Sequence, residues 1–328
     1  MIRPAGIDIG SGSIKLIEFQ KQKGSLELSK CAINVISGED IKTSLKDLLA
    51  LSKPFSKRVN ISLSGPSVIV RYIEMPPMKR EEQESAIKFE GGKYIPFDIS
   101  ESILDCAVLD KSPSGNANRI LLVAAKKDSV NKRMEIFKEV GLAIANIDVD
   151  SVAILNAFQR PWMQAKKENV YAMINVGSRF SNMSIVAGAY PYFTRDLLWG
   201  GSDITNKIKE SLGLNTSEAE IMKCHPEERK AELTAILMPT LEKFISEIRM
   251  SFDYFETQFG KNIERLYISG GGAYLFNMPD FLKENLEIEV VLLDPFEGVK
   301  ISDELCCKEL KDYPGQFAVA MGLALRKE

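Results

Sequence analysis

A glycine-containing phrase occurs twice in this 328-residue chain and limits its fold more than any other feature. The first copy is Gly6–Lys15 (GIDIGSGSIK) and the second, looser, is Ile174–Ser184 (INVGSRFSNMS). Asp8 and Asn175 stand 167 positions apart, as do Gly10 and Gly177 (175 − 8 and 177 − 10). Each copy reads as a short apolar strand, a polar side chain, a glycine turn with small hydroxyl residues, and a return strand. The return strands are Ile14–Phe19 and Met183–Ala187. Two related halves are therefore expected. Facing each other, the two hairpins would form a clamp for phosphate, because glycine lets backbone N–H groups approach an anion closely.

The length suits two domains, and an apolar content of 45% suits a globular chain. A net charge of −3, with no strongly basic domain, argues against a broad nucleic-acid surface. Lys126–Lys127 and Lys166–Lys167 read as solvated faces. No apolar run reaches the roughly 18 residues of a membrane span, and the chain enters a strand almost at once, so neither a signal peptide nor a transmembrane helix is expected. Cys31, Cys106, Cys224, Cys306 and Cys307 are odd in number and scattered, as expected of reduced thiols in a cytosolic protein. The single His225 beside Cys224 lacks the further ligands a zinc site needs.

The strand expected over Ser25–Val35 is followed by a helix at Ile41–Ser52 and by strands at Val59–Leu63 and Val68–Ile73 around a Gly65–Pro66 turn. In the segment Met75–Ser100, two prolines stop the strand and Glu81, Glu82 and Glu84 suit the positive end of a helix. That helix should carry Ala86, Ile87 and Phe89 into packing and fray at Gly91–Gly92. Strands at Ile103–Val108 and Ile120–Ala125, a loop at Lys111–Asn118 and a helix at Ser129–Val140 complete a small α/β insert.

A strand at Ala145–Val149 leads into a helix at Asp150–Phe158, and Arg160–Glu168 is the expected crossing into the second half. Gly200–Asp203 should cap a helix beginning near Ile204. A helix over Leu233–Phe259 carries Leu237, Leu241, Phe244, Ile248, Phe252, Phe255 and Phe259 on one apolar stripe, the mark of core packing. A strand at Arg265–Ser269 meets a third glycine turn, Gly270–Ala273. A strand at Val290–Leu293 and an apolar helix at Gln316–Leu325 end the chain.

One glycine turn after a strand is ordinarily a hairpin. Three in this order point instead to phosphate. In the first, Ser11 and Ser13 add hydroxyls and Lys15 a positive charge; Gly177, Ser178 and Arg179 are their counterparts in the second. Neither is a Walker A loop, since GIDIGSGSIK lacks both its glycine spacing and its terminal Gly-Lys-Ser/Thr.

The order GIDIGSGSIK, IDVDSVAILNAF, INVGSRFSNMS, GGSDITNKIKESLGLNTSEAEIMK and LYISGGGAYL is similar to the five nucleotide-site segments of the actin/Hsp70/FtsA superfamily. MPPMKREEQESAIKFEGGKYIPFDIS, with its MPxM, acidic helix and YIPF, resembles a signature of the PilM family of type IV pilus assembly proteins. The resemblance runs from Ile7 to Arg326. It implies an actin-like (ribonuclease H-like) α/β fold of two domains, with a duplicated βββαβα core and an inserted small α/β subdomain. Domain I would comprise 1–158 plus 313–328, with the insert at about 37–143, and domain II would comprise 159–312.

The resemblance also implies ATP and Mg²⁺ as cofactors. Gly10, Ser11, Gly12, Ser13 and Lys15 match the first phosphate loop, with Asp8 near the hydrated magnesium; Gly177, Ser178 and Arg179 match the second. Glu220 and Lys223 match residues flanking ribose and adenine, and Gly270, Gly271, Gly272 and Ala273 match the adenosine turn. Asp150 matches the acid that orients the attacking water in filament-forming relatives. It reads equally as a helix N-cap. Asn175 stands where an aspartate is usual: it still reaches a magnesium-bound water, but carries no charge and cannot act as a base. Asp150 is shorter than the glutamate often found at its position. Both departures imply weak ATPase activity at most.

As in PilM, such a chain would be a cytoplasmic ATP-binding adaptor of the pilus assembly platform and of twitching motility. It would bind the short N-terminal cytoplasmic peptide of PilN and sit peripheral to the inner membrane through its partners. Other platform proteins, the motor ATPases and further copies of the chain are additional candidate partners; nucleic acid and direct membrane insertion are not expected. Tyr94, Ile95, Pro96 and Phe97 are candidates for a peptide pocket, or else plugs of the insert's core. Two alternatives share the fold, a sugar-kinase-type phosphotransferase and a polymerising cytoskeletal ATPase. The first needs a cluster of sugar-binding groups, which is not evident here.

Overall fold

The computed structural model describes residues 4–22, 25–36, 40–111, 116–162, 169–188, 190–303, 305 and 307–326. Most of the expected crossing Arg160–Glu168, the pair Lys166–Lys167 and Cys306 lie outside these residues.

The strands are β1 (Ala5–Ile9), β2 (Ser13–Gln22), β3 (Ser25–Val35), β4 (Arg58–Leu63), β5 (Val68–Met75), β6 (Ser102–Lys111), β7 (Asn118–Lys126), β8 (Ala143–Val149), β9 (Val170–Val176), β10 (Ser181–Ala187), β11 (Tyr190–Leu197), β12 (Arg265–Ser269), β13 (Glu289–Leu292) and β14 (Lys300–Ile301). The helices are α1 (Ile41–Ser52), α2 (Arg80–Glu90), α3 (Lys127–Glu139), α4 (Asp150–Trp162), α5 (Gly201–Leu212), α6 (Thr216–Cys224), α7 (Lys230–Phe259), α8 (Met278–Leu286), α9 (Lys308–Asp312) and α10 (Ala318–Ala324).

The expected duplication is visible in the topology. One sheet runs β14-β3-β2-β1-β4-β8 and the other β11-β10-β9-β12-β13. Leaving β14 aside, each is an antiparallel meander of three strands followed by two parallel strands. The match extends to register. Asp8 pairs with Lys15 across the first hairpin, and Asn175 with Asn182 across the second.

Helices α4 and α10 lie between the two sheets. Ala153, Leu155 and Phe158 of α4 and Val319 and Leu323 of α10 pack on Tyr171, Met173, Val186 and Tyr267 of the second sheet. The opposite side of α10 packs on Ile17, Phe19 and Leu28 of the first. Small residues make this close approach possible: a Cβ on Gly322 would lie 1.6 Å from the carbonyl oxygen of Ala153. The outer faces are covered by α1 and Phe137 of α3 on the first sheet, and by α5 to α8 on the second. The apolar stripe of α7 is buried from Leu233 to Phe255, and Trp199 stacks on Phe244 with ring centroids 3.9 Å apart.

Between β4 and β8 the chain builds a third sheet, β5-β7-β6, backed by α2. The insert is narrower than 37–143, because Leu45 and Leu48 of α1 pack against Ile7 and Ile14, and β4 joins the first sheet. The short β14, inside the span expected for domain II, pairs with β3 of the first sheet. In α2, Ile87 is buried, whereas Phe89 is 89% exposed and not packed as expected. Two residues advance a helix by about 200°, so the two side chains leave on opposite faces.

Candidate functional site

The glycine turns converge where the two large sheets face each other. After β1 the chain turns tightly, Gly10 N–H donating to the Ser13 carbonyl at 3.1 Å. Lys15 is returned beside Asp8, with Nζ 3.1 Å from Oδ2 and both side chains mostly buried. The second turn is stapled to the start of α5. Gly201 N–H donates to Gly177 O at 2.9 Å, Ser202 N–H to Ser178 O at 2.8 Å, and the Ser178 and Ser202 hydroxyls bond at 2.8 Å. Asp203 accepts from Gly200 N–H at 2.9 Å, so the expected cap forms with the helix starting at Gly201.

The two turns touch. Arg179 N–H donates to Ser11 Oγ at 3.1 Å, and a Cβ on Gly12 would lie 2.9 Å from Ser178 Cβ. Gly270, at φ +82°, brings the third turn to the same place; a Cβ there would lie 2.4 Å from Val176 O and 2.8 Å from Asn175 Oδ1. Asn175 Oδ1 also accepts from Ser269 Oγ at 3.3 Å, fastening the third turn to the second. A Cβ on Gly271 would lie 3.8 Å from Gln316 Oε1, while Gly272 and Ala273 are buried. From α6, Lys223 is buried with Nζ 3.0 Å from Thr205 Oγ1 and 2.6 Å from Glu220 Oε2. The three glycine turns, the start of α5 and Lys223 of α6 are thus joined by direct contacts.

Asp150 begins α4 on the cleft side of the first sheet. Burial, and next the charge of Asp8, push its carboxyl up to about 7, against hydrogen bonds with Ser62 and Ser64. One contributor carries no motif and was missed in the sequence. Arg133 lies on the inner stripe of α3 between buried Val130 and Phe137; its Nη1 is buried without a hydrogen-bond partner. Burial lowers its pKa, while the carboxylates of Asp150 and Asp8 oppose that shift.

These groups fit a nucleoside triphosphate with magnesium. Glycine surfaces, serine hydroxyls and two cations meet the needs of phosphate oxygens, and Asp8, with Asn175 through water, those of a hydrated cation. The orphaned guanidinium nitrogen beside them suits an anionic ligand.

A second cleft, of about 990 Å³, lies between the inserted sheet and the first domain. Ile103, Ala107 and Val123 line one wall; Val149 and Val152 line the other, with Arg326 paired to Asp148. Tyr94–Phe97 do not line it. Ile95 is buried and Tyr94 packs on the core of the inserted sheet. Among the described residues, Cys31 and Cys307 meet with sulfurs 3.4 Å apart, no group of His, Cys, Asp and Glu is arranged to hold a metal directly, and no helix is long and apolar enough to cross a membrane.

The sequence model of type IV pilus assembly protein PilM matches residues 6–328. A solved structure described as a PilM–PilN type IV pilus biogenesis complex is similar at a TM-score of 0.90 and 26% identity, over 99% of this chain and 98% of that one. Two more distant likenesses bear on the fold alone. The ethanolamine utilization protein EutJ from Carboxydothermus hydrogenoformans has a TM-score of 0.57 and 13% identity, over 99% of this chain and 90% of that one. The archaeal actin homologue Ta0583 has a TM-score of 0.50 and 14% identity, over 98% and 97%. The fold is accordingly actin-like.

Proposed function

Because the chain belongs to the PilM family of type IV pilus assembly proteins, we propose that it is an ATP-binding adaptor whose output is a peptide-binding cleft. The peptide is the N-terminal cytoplasmic segment of PilN, which places the chain on the cytoplasmic face of the inner membrane through that partner. The observation that carries this proposal is the likeness, over 99% of the chain, to a structure described as a PilM–PilN complex. A largely apolar cleft with Asp105, Asp148 and Arg326 among its lining residues supports it, because a bound peptide needs apolar surface together with groups for its polar atoms.

ATP with magnesium would be held by the glycine turns. Within Gly10–Ser13 and Gly177–Arg179, the N–H groups of Ser11, Gly12 and Ser178 and the serine hydroxyls would face the phosphates, Lys15 would add a charge and Asp8 would face the hydrated cation, while the N–H groups of Gly10, Gly177 and Arg179 hold the turns themselves. Glu220, Lys223 and Gly270–Ala273 would flank the nucleoside. Bound magnesium neutralises phosphate charge. Hydrolysis is slow or absent in this proposal, because Asn175 cannot serve as a base and its Oδ1 already accepts from Ser269.

Two assays separate the adaptor from a kinase or a filament. Single-turnover reactions should show no rapid transfer from ATP to water or to a sugar, and sedimentation with nucleotide should leave the protein in the supernatant. Rapid transfer to a small acceptor, or nucleotide-dependent pelleting, would overturn the proposal.

A further inference from the structure

Helix α3 has one charged residue on its buried side. Val130 packs with Leu63, Val68 and Val149, and Phe137 with Ile7, Ile9 and Ile61. Arg133 lies between them, where the helix spacing of three and four residues would ordinarily place an apolar group. Taking a guanidinium nitrogen out of water without a partner costs free energy, so it needs a compensating contact. Asp150 and Asp8 supply charge nearby but no hydrogen bond to Nη1.

The placement of α3 gives Arg133 a second consequence. Val130, almost one turn earlier, lines the apolar cleft, so one rigid helix touches both sites. Val149 lines the same cleft and the next residue, Asp150, belongs to the nucleotide site. The insert is also held to the second sheet. Arg119 of β7 lies over the ring of Tyr192 of β11 at 3.5 Å, and Tyr72 of β5 bonds Thr194 of β11 at 2.7 Å. The insert thus has contacts to both halves of the clamp.

We infer that Arg133 is a binding residue for the terminal phosphate of a nucleoside triphosphate, through which α3 registers the charge of the ligand and passes it to the cleft. This rests on the nucleotide site proposed above. It names the terminal phosphate because the two carboxylates whose charges reach Arg133 are Asp8, expected to face the hydrated cation on the phosphates, and Asp150, expected to orient the water that attacks the terminal one. Phosphate oxygens would satisfy Nη1, and the added negative charge would strengthen the contact.

The test is calorimetric titration of ATP and of ADP, each with magnesium, into the full chain and its Arg133→Met and Arg133→Lys variants. Arg133→Met should lose about tenfold or more in ATP affinity and less than about threefold in ADP affinity, the loss of one charge-assisted contact. Arg133→Lys should retain an intermediate preference for ATP, and it carries the test alone should the methionine variant fail to fold. Equal loss for both nucleotides, or no loss for either, would overturn the role of Arg133 while leaving the site intact. If the unaltered chain binds neither nucleotide, the site itself falls, and the inference with it.

Discussion

Lys15 Nζ lies 3.1 Å from Asp8 Oδ2, directly across the first hairpin. The matching pair in the second hairpin is Asn175 and Asn182, and neither uses its partner. Asn182 donates to Asp196 and Asn175 accepts from Ser269. The two copies share a register but not a charge: one holds an ion pair at the cleft, and the other holds amides bonded into its own sheet.

Removing the lysine should be costly. Lys15→Met leaves Asp8 buried without its counter-charge and should lower unfolding free energy by about 3 kcal/mol. Denaturant titration checks this, and the double variant Asp8→Asn with Lys15→Met should recover most of the loss. An additive double variant would mean that the pair is not coupled.

Asp150 predicts a pH dependence. Its carboxyl sits near 7 in the folded chain against the ordinary 3.8, so the folded state holds this proton more tightly than the unfolded one. The sign follows: the contribution to stability is fully present below about pH 4 and is lost as pH rises through about 7. Asp150→Asn cannot ionise. Measured in chelator, the variant should gain on the unaltered protein between pH 5 and pH 8; parallel stability curves would refute the shift.

Contact between the glycine turns predicts the effect of bulk at Gly12. A Cβ there meets Ser178 at 2.9 Å, and the larger Gly12→Val should force the turns apart. ATP affinity should fall at least about tenfold, the loss of roughly one good hydrogen bond to a charged group, with circular dichroism unchanged. Undiminished affinity would place the phosphates elsewhere.

Gly322 has a different role, in the core. With only 1.6 Å between its added Cβ and Ala153 O, even Gly322→Ala must move α10 from α4. Overpacking of this kind costs about 3 kcal/mol or more, readable as a lower melting temperature. An unchanged melting temperature would show that the helices separate freely.

Local patterns made much of this legible in the sequence. Glycine turns following apolar strands placed both hairpins, and the stripe from Leu237 to Phe255 placed the long helix, because each pattern is written within a few turns of chain. The resemblance grouped the three glycine turns, which touch one another in the fold. What stayed hidden depends on contacts between distant residues. Arg133 reads as a surface arginine until α3 is docked, Phe89 as a core residue until the face of α2 is known, and Cys31 and Cys307 come together only through the fold. The wall of the apolar cleft joins Ala107 to Arg326, which no spacing rule connects.

A nucleotide-holding clamp with a peptide-binding output must, above all, bind its peptide when loaded. The most direct test is calorimetric titration of a peptide copying the PilN N-terminus into the full chain with ATP and magnesium present, alongside Ala107→Trp. Ala107 is exposed and lines the cleft, so the tryptophan should fill the cleft without unfolding the chain. Saturable binding, weakened at least about tenfold by Ala107→Trp, is the predicted result, given that an occluded cleft loses most of its contact surface. No peptide binding in a sample that binds ATP would contradict this function.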